Sequence, residues 1–315
     1  MMNTLAPRML KVLTYNVWFD PAHLIERTTV ITEILCTSRA DVICLQEVTQ
    51  PAHEMLQLDE RLASLYAFSF PLQPPAGKQR SWYYALMLVR RELNPVFQSI
   101  DFPSEVQRQL IVATIGEMAI ATAHFESMDS RRLRREQLVC TSKVLTHFPA
   151  WVLCGDFNFC SYQNFGGRNP GDLENTVLAD VLPPHVDAWP ALHPPTEPGF
   201  TFDSEKNANV EKFEQMRYDR VLCSLPHCKP HTVSLVGTES FEAPTKETIR
   251  LAMPPSRPSK LRLPPDATDG SPPRWVKTEQ DVAIGNRTPS PSRGVELHPS
   301  DHFGVACHID ISHLL

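Results

Sequence analysis

Five short polar runs constrain the fold of this 315-residue chain most, because most of them follow an apolar, β-branched segment and so lie where a strand ends. Side chains at the carboxyl ends of neighbouring strands converge on one crevice. Asn, Glu, Asp and His side chains in one crevice are what metal-assisted cleavage of a phosphate ester needs. The runs are Thr14-Tyr15-Asn16, Leu45-Gln46-Glu47-Val48, His124-Phe125-Glu126-Ser127, Gly155-Asp156-Phe157-Asn158 and Ser300-Asp301-His302.

Strand-like and helix-like patterns alternate along the chain. Apolar spacing predicts helices over residues 23–38, 54–65 and 130–148. Residues 109–115 and 118–123 form a predicted hairpin around Gly116. Because hairpins occur beside strand–helix units, we expect an α/β fold with mixed sheets. The other predicted strands are 10–17, 41–45, 82–89, 151–153, 199–203, 217–223 and 304–309.

Net charge and cysteine spacing narrow the classes of function that are compatible with the chain. A net charge of −6 argues against a protein that coats nucleic acid nonspecifically, and is compatible with a nucleic-acid enzyme that uses a local patch. The eight cysteines show no CxxC pair, so we expect reduced thiols, as in the nucleus or cytoplasm. The run Pro226-His227-Cys228-Lys229-Pro230-His231 is too short to close a four-ligand zinc site, and we expect a surface loop there.

We expect no signal peptide and no membrane contact. The first strand begins near Leu10, after a short start without a long apolar stretch. No apolar run reaches the roughly 18 residues that a membrane span requires.

Residues 240–299 depart from this pattern. They hold eleven of the 29 prolines and lack core-forming periodicity. We expect a disordered or loosely packed insertion within a single domain that spans residues 1–315. Thr288-Pro289 and Ser290-Pro291 permit proline-directed phosphorylation, and a merely tolerated insertion is the alternative.

Three oxygen-bearing side chains follow predicted strands. Glu47 would be buried by its strand, and a buried carboxylate needs a partner. Mg²⁺ suits it, since this hard ion takes oxygen ligands and keeps positions open for phosphate; a surface salt bridge is the alternative. Asp156 and Asn158, two apart on an extended chain, point to the same side. Asp156 can then hold and deprotonate a water while Asn158 donates to phosphate, or the run is an ordinary turn.

Two histidines, His302 and His124, are candidates for stabilising negative charge on the reacting phosphate. We expect Asp219 to bind one imidazole nitrogen of His302 and keep its ring protonated, although His302 can also be a structural residue. The imidazolium would neutralise charge that develops on the reacting phosphate. His124 is expected to do the same from the other flank, and Ser127 to bind phosphate or orient His124.

The helix after His124 opens with four arginines in five residues, which cannot all face the core. They form either a solvated helix face or a grip on a phosphate backbone that weakens as salt rises. For the second interpretation, the candidate substrate-binding residues are Arg131 and Arg135.

Together, and in this order, the five runs resemble the endonuclease/exonuclease/phosphatase superfamily, which includes DNase I, abasic-site endonucleases, inositol polyphosphate phosphatases, sphingomyelinases and deadenylases. The resemblance covers nearly the whole chain outside the Pro-rich segment. It implies a four-layer α/β sandwich of two packed mixed β-sheets flanked by helices, dependence on Mg²⁺ or Mn²⁺, and a water nucleophile. It implies that three residues lie around the metal and the phosphate: Asn16, Glu47 and Asp301. It also implies that Asp156 positions the water, that Asn158 binds phosphate and that Asp219 supports His302.

A narrower resemblance points to the superfamily's 5′-tyrosyl-DNA phosphodiesterase branch. It rests on the His124 run with its Arg-rich helix, on Asp187-Ala188-Trp189, on Phe200-Thr201-Phe202-Asp203 and on Arg217-Tyr218-Asp219-Arg220. That branch hydrolyses the bond between a DNA 5′-phosphate and a topoisomerase tyrosine in DNA repair. The resemblance implies a DNA end or single-stranded nucleic acid as partner, and it places Phe202 where an aromatic ring can stack a base.

The chain departs from the branch at two points. Cys160-Ser161 stands where the branch has Arg-Asp, so one contact to substrate is in doubt. No ubiquitin-associated domain is expected, since the chain starts almost at the first strand. Other superfamily activities (abasic-site or other nuclease, inositol phosphate or sphingomyelin hydrolase) and an inactive scaffold stay as alternatives.

Overall fold

The computed structural model describes residues 9–72, 81–164, 172–210, 213–242 and 296–312. Its helices are Leu24–Ser38 (α1), Gln50–Leu58 (α2), Glu60–Leu65 (α3), Arg131–Leu145 (α4), Val177–Val181 (α5) and Ala188–Leu192 (α6), with 3₁₀ helices at Arg91–Leu93 and Glu174–Thr176. Its strands are Met9–Asn16 (β1), Val42–Thr49 (β2), Tyr66–Phe68 (β3), Tyr83–Arg90 (β4), Val96–Asp101 (β5), Gln109–Ile115 (β6), Met118–His124 (β7), Ala150–Asp156 (β8), His185–Asp187 (β9), Phe202–Asp203 (β10), Gln215–Met216 (β11), Asp219–Ser224 (β12), Lys229–Val236 (β13), Phe241–Glu242 (β14), Glu296–Leu297 (β15) and Gly304–Asp310 (β16).

Two six-stranded sheets form the centre of the fold, with strand orders β13-β16-β1-β2-β4-β3 and β5-β6-β7-β8-β12-β9. The pairs β1–β2 and β7–β8 are parallel and the others are antiparallel, so both sheets are mixed, as predicted. The hairpin around Gly116 is confirmed as β6–β7.

Period-two side-chain alternation explains the layers. Val12 faces the core between the sheets, whereas its neighbour Leu13 packs beneath the helices α1 to α3. On the second sheet, Val152 enters the same central core and Leu153 packs against α4 and α5. Each fully buried aliphatic side chain contributes roughly 1.5–3 kcal/mol. The predicted four-layer sandwich is therefore confirmed.

Strand direction brings the polar runs to one end of both sheets. Asn16 ends β1 and pairs with Gln46 of the parallel strand β2. His124 and Asp156 end the parallel strands β7 and β8 at the same register, and Asp219 begins β12 directly opposite Asp156. The site thus lies where strands from the two sheets end together.

Two local predictions are wrong for identifiable reasons. The single helix over 54–65 is two helices, because Asp59 adopts an extended conformation and its side chain caps α3. The expected surface loop over 226–231 is a turn that leads into β13, with Cys228 buried, because β13 pairs with β16 from the sheet edge. That pairing is not visible in local sequence.

The chain splits into two compact units, Met1–Phe241 with Glu296–Leu315, and Glu242–Val295. Residues 243–295, most of the predicted insertion, lie outside the described residues, so its disorder stays a prediction. Within the part of the chain that is described, no helix is both long and apolar enough to cross a membrane. All eight cysteines are free thiols.

Candidate active site

Asp156 lies at the centre of the site and is 1% exposed. Its Oδ2 accepts a hydrogen bond from Asn16 Nδ2 at 3.0 Å, and its Oδ1 accepts one from the Asn158 backbone N–H at 2.8 Å. Burial raises the pKa of Asp156, but the imidazoles of His124 and His302 and these hydrogen bonds outweigh it, so the net pKa lies below its ordinary value. Asp156 is therefore a buried, oriented carboxylate.

The chain turns sharply around Asp156. Gly155 has φ 138°, and a Cβ there would lie 2.0 Å from the carbonyl oxygen of Ala123, so only glycine allows this approach of β8 to β7. The expectation that Asp156 and Asn158 share one side of an extended chain is wrong, because Asn158 is left-handed at φ 53°. Its Nδ2 donates to the Phe125 carbonyl at 2.9 Å.

Glu47 is presented by a β-bulge. One extra residue between Leu45 and Val48 interrupts the β2–β4 register, and Glu47 adopts φ 61°. A non-glycine residue in this region costs about 1–3 kcal/mol, so its surroundings must hold it there. The Phe19 N–H does so by donating to Glu47 Oε2 at 3.1 Å. Burial, followed by the charge of Asp301, raises the pKa of Glu47 to about 7.

Asp301 is a second half-buried carboxylate, and its charge acts on Glu47. The preceding Ser300 hydroxyl donates to the Asn16 carbonyl at 2.6 Å, which ties this segment to β1. Burial raises the pKa of Asp301 to about 6, against the lowering effect of His302 and Arg27. Glu47 and Asp301 thus offer hard oxygen donors whose ionised forms are destabilised by desolvation. A divalent cation would offset that cost, so the donor set fits Mg²⁺ or Mn²⁺.

The predicted pairing of His302 with Asp219 is present. His302 Nδ1 donates to Asp219 Oδ2 at 2.7 Å, with both residues buried. Burial alone lowers the pKa of His302, but the charge and hydrogen bond of Asp219 raise it well above its usual value. Ligand atoms of Asp156, Asp219 and His302 also lie within 4.8 Å of one another, as around a metal. A doubly protonated ring cannot ligate a metal, so His302 in this state does not fit a metal ligand, whereas the Glu47 and Asp301 carboxylates do.

The protonation state of His124 differs from the prediction that its ring is a second imidazolium. Arg108 donates from a guanidinium nitrogen to His124 Nδ1 at 2.8 Å. Since arginine has no acceptor, the ring proton must be on Nε2, which lies 3.4 Å from Asp156 Oδ2. Burial and then the Arg108 charge hold the pKa of His124 well below its usual value. His124 is a neutral N–H donor, so that expectation is wrong.

Sequence reasoning also missed Arg108 and an aromatic cluster, which we define as Phe19, Trp82 and Tyr83. Phe19 stacks on Tyr83 with ring centroids 4.8 Å apart, and Trp82, 51% exposed, packs edge-on against both rings. Tyr83 lies 6.4 Å from His124 and 5.1 Å from the Arg108 guanidinium. The aromatic cluster could have been predicted from the consecutive aromatic residues at the start of β4. Arg108 could not, because a single arginine in a sequence does not indicate what its side chain contacts.

The predicted substrate-binding residues occupy different environments. Phe202 lies beside the site, with its ring 5.1 Å from His302. Ser127 is half-buried, and its hydroxyl makes no hydrogen bond with another described residue. Arg131 pairs with Asp172 at 2.7 Å, and Arg135 is exposed.

The arginines at the start of α4 do not all face solvent, because Arg134 points into the protein. It is fully buried and pairs with Glu174 at 2.7 Å. Arg132 is strongly exposed and pairs with Glu136 at 3.2 Å. A phosphate-binding role for Arg131 and Arg135 stays a prediction.

The sandwich and its strand-end carboxylates define the class of protein. The model of the Endonuclease/Exonuclease/phosphatase family matches residues 13–302, and the chain belongs to this family.

Two curated relatives carry a more specific name. The chain is 27% identical over 247 residues to tyrosyl-DNA phosphodiesterase 2 of Xenopus laevis, covering 73% of this chain and 61% of the relative. It is 25% identical over 251 residues to tyrosyl-DNA phosphodiesterase 2 of Homo sapiens, covering 74% and 64%. The matched part is thus under two thirds of each relative's length.

Solved structures confirm the fold. The crystal structure of truncated Caenorhabditis elegans TDP2 superposes with TM-score 0.63 at 19% identity, covering 96% of this chain and 97% of that one. D. rerio TDP2 complexed with single strand DNA product gives TM-score 0.63 at 20% identity, covering 96% and 98%.

Proposed function

We propose that this protein is a Mg²⁺-dependent phosphodiesterase that hydrolyses the bond between a DNA 5′-phosphate and a tyrosine side chain. The observation that carries the proposal is the convergence of Asn16, His124 and Asn158 on the buried Asp156 carboxylate. The names of the relatives support the tyrosyl substrate, and the D. rerio complex supports a single-stranded DNA end.

The chain's own groups support in-line attack by water. Asp156 holds the water and takes its proton as the water oxygen bonds to phosphorus. The P–O bond to the tyrosyl oxygen breaks at the same time, and the tyrosine leaves as a phenolate that solvent protonates. The products are a 5′-phosphorylated DNA end and a free tyrosine side chain. His302 as a cation, His124 through Nε2–H and Asn158 through its amide stabilise the charge that grows on phosphate, each by about 3 kcal/mol.

Glu47 and Asp301 would hold the metal, with Mn²⁺ as a substitute for Mg²⁺. A bound divalent ion polarises a phosphoryl oxygen and neutralises its charge. The aromatic cluster lies beside His124 and suits contact with a planar phenolic leaving group. The remaining proposed substrate contacts are base stacking by Phe202 and phosphate binding by Ser127, Arg131 and Arg135.

Such an activity belongs to DNA repair, and we propose a nuclear or cytoplasmic location. The eight free thiols are compatible with either reducing compartment.

The test is hydrolysis of a single-stranded 5′-tyrosyl oligonucleotide, with and without Mg²⁺, beside abasic DNA, an inositol polyphosphate and sphingomyelin. We expect Mg²⁺-dependent formation of the 5′-phosphorylated oligonucleotide, with the other substrates at least about tenfold slower. Hydrolysis of one of the other substrates instead would refute the tyrosyl assignment. Inactivity on all of them would favour an inactive scaffold.

A further inference from the structure

Glu126 belongs to the polar run after β7, yet the proposed chemistry does not use it. The residue is 4% exposed. Its backbone N–H donates to Gln137 Oε1 at 2.8 Å. Its Oε2 accepts two hydrogen bonds, from Gln137 Nε2 at 3.0 Å and from the Ser104 hydroxyl at 2.7 Å. A buried carboxylate held by directed bonds to neutral groups costs desolvation energy, which suggests that its geometry matters.

Ser104 connects this carboxylate to the segment between β5 and β6. While its hydroxyl donates to Glu126, it accepts from the backbone N–H groups of Val106 at 3.1 Å and Arg108 at 3.0 Å. The turn over residues 104–108 is therefore held by hydrogen bonds to the Ser104 hydroxyl oxygen. Because that oxygen is bound to Glu126, the turn is fixed to the start of the loop that follows β7.

Arg108 carries this constraint into the active site. It ends the turn, and its guanidinium donates to His124 Nδ1 at 2.8 Å. Of the two neutral tautomers of His124, only the one protonated on Nε2 can accept this bond. That tautomer directs an N–H toward Asp156 Oδ2 at 3.4 Å. The direction of the Arg108 side chain thus determines which His124 nitrogen donates at the site.

We infer that Glu126 is a positioning residue, which acts through the Ser104 hydroxyl to aim Arg108 at His124 and so fixes the Nε2–H tautomer of His124. Glu126 itself touches no reacting group. The kinetic consequence rests on the proposed function, whereas the tautomer of His124 is a property of the protein alone.

Matched variants separate this role from a merely structural one. Ser104→Ala removes the hydroxyl that joins Glu126 to the turn, and Ser99→Ala on the exposed edge of β5 is its control. Glu126→Ala removes the acceptor. Glu126→Gln keeps an amide oxygen that can take the Oε2 position, and is therefore the conservative rescue.

Two readouts on the full chain test the inference. The first is the ¹⁵N NMR tautomer of His124 at one fixed pH, assigned with His124→Gln. Wild type, Ser99→Ala and Glu126→Gln should show a single Nε2–H form, whereas Ser104→Ala and Glu126→Ala should show mixed tautomers.

The second readout is turnover of the 5′-tyrosyl oligonucleotide. Ser104→Ala should lower kcat about tenfold with KM within about twofold, and should lower it no further in an Arg108→Ala background.

A single Nε2–H tautomer in folded Ser104→Ala would overturn the inference, as would a fall in kcat of equal size in the Arg108→Ala background. If Glu126→Ala does not fold, Ser104→Ala decides alone. If the tautomer shifts as expected but wild type leaves the tyrosyl substrate intact, the proposed function fails and the positioning role stands.

Discussion

Asn16 and Asp156, 140 residues apart in sequence, are joined by a 3.0 Å hydrogen bond between the two sheets. The bond runs from the Asn16 amide to Asp156 Oδ2, which leaves the orientation of the carboxylate dependent on the first sheet. Asn16 is itself held, since its Oδ1 accepts from the Trp18 N–H at 3.0 Å. Correct packing of one sheet on the other is therefore a condition for the site.

Asn16→Ala should lower kcat about 100-fold, because Asp156 loses the donor that orients it. The free energy of unfolding should fall by only about 1–3 kcal/mol, since one buried acceptor loses a partner. Steady-state kinetics on the tyrosyl oligonucleotide and urea unfolding measure the two effects. Turnover within threefold of wild type would show that Asp156 needs no such orientation.

Gly155→Ala should destabilise the fold by about 2–4 kcal/mol, since the added Cβ meets the Ala123 carbonyl at 2.0 Å and φ is 138°. Gly116→Ala is the control, because φ is 59° there and nothing lies within 4 Å of the added Cβ. It should cost only about 1 kcal/mol. Equal losses for both variants in urea unfolding would contradict the close approach.

Metal-free protein should lose thermal stability as pH rises from 5 to 8. The folded-state pKa values of about 7 for Glu47 and about 6 for Asp301 lie above their unfolded values, so folding favours the protonated forms and ionisation destabilises the fold. Mg²⁺ binds the ionised forms and should therefore raise Tm more at pH 8 than at pH 5. A Tm gain from Mg²⁺ that is the same at both pH values would count against these ligands, and Glu47→Gln should reduce the gain.

Phe202→Ala should weaken binding of the DNA end. One stacked base is worth about 1–3 kcal/mol, so KM should rise roughly 5- to 150-fold with kcat changed less. Phe213→Ala, at a side chain that is 87% exposed, provides the control. An unchanged KM for Phe202→Ala would exclude base stacking at this position.

Much of the site could be predicted from sequence, because strand direction and side-chain type are local properties. Asn16, Glu47 and Asp156 follow apolar runs, and parallel strands bring such ends together. What escaped prediction depends on contacts between distant segments. The Glu47 bulge comes from the β2–β4 register, and the neutral state of His124 comes from Arg108, whose approach no local pattern encodes.

The central claim is that Asp156 directs water onto phosphorus at a site built from distant segments. Single-turnover hydrolysis of the 5′-tyrosyl oligonucleotide in H₂¹⁸O, with wild type and Asp156→Asn, tests it most directly. We expect one ¹⁸O in the 5′-phosphate, none in tyrosine, and a rate at least about 100-fold lower for the variant. Label in tyrosine, or an Asp156→Asn rate close to that of wild type, would contradict the account.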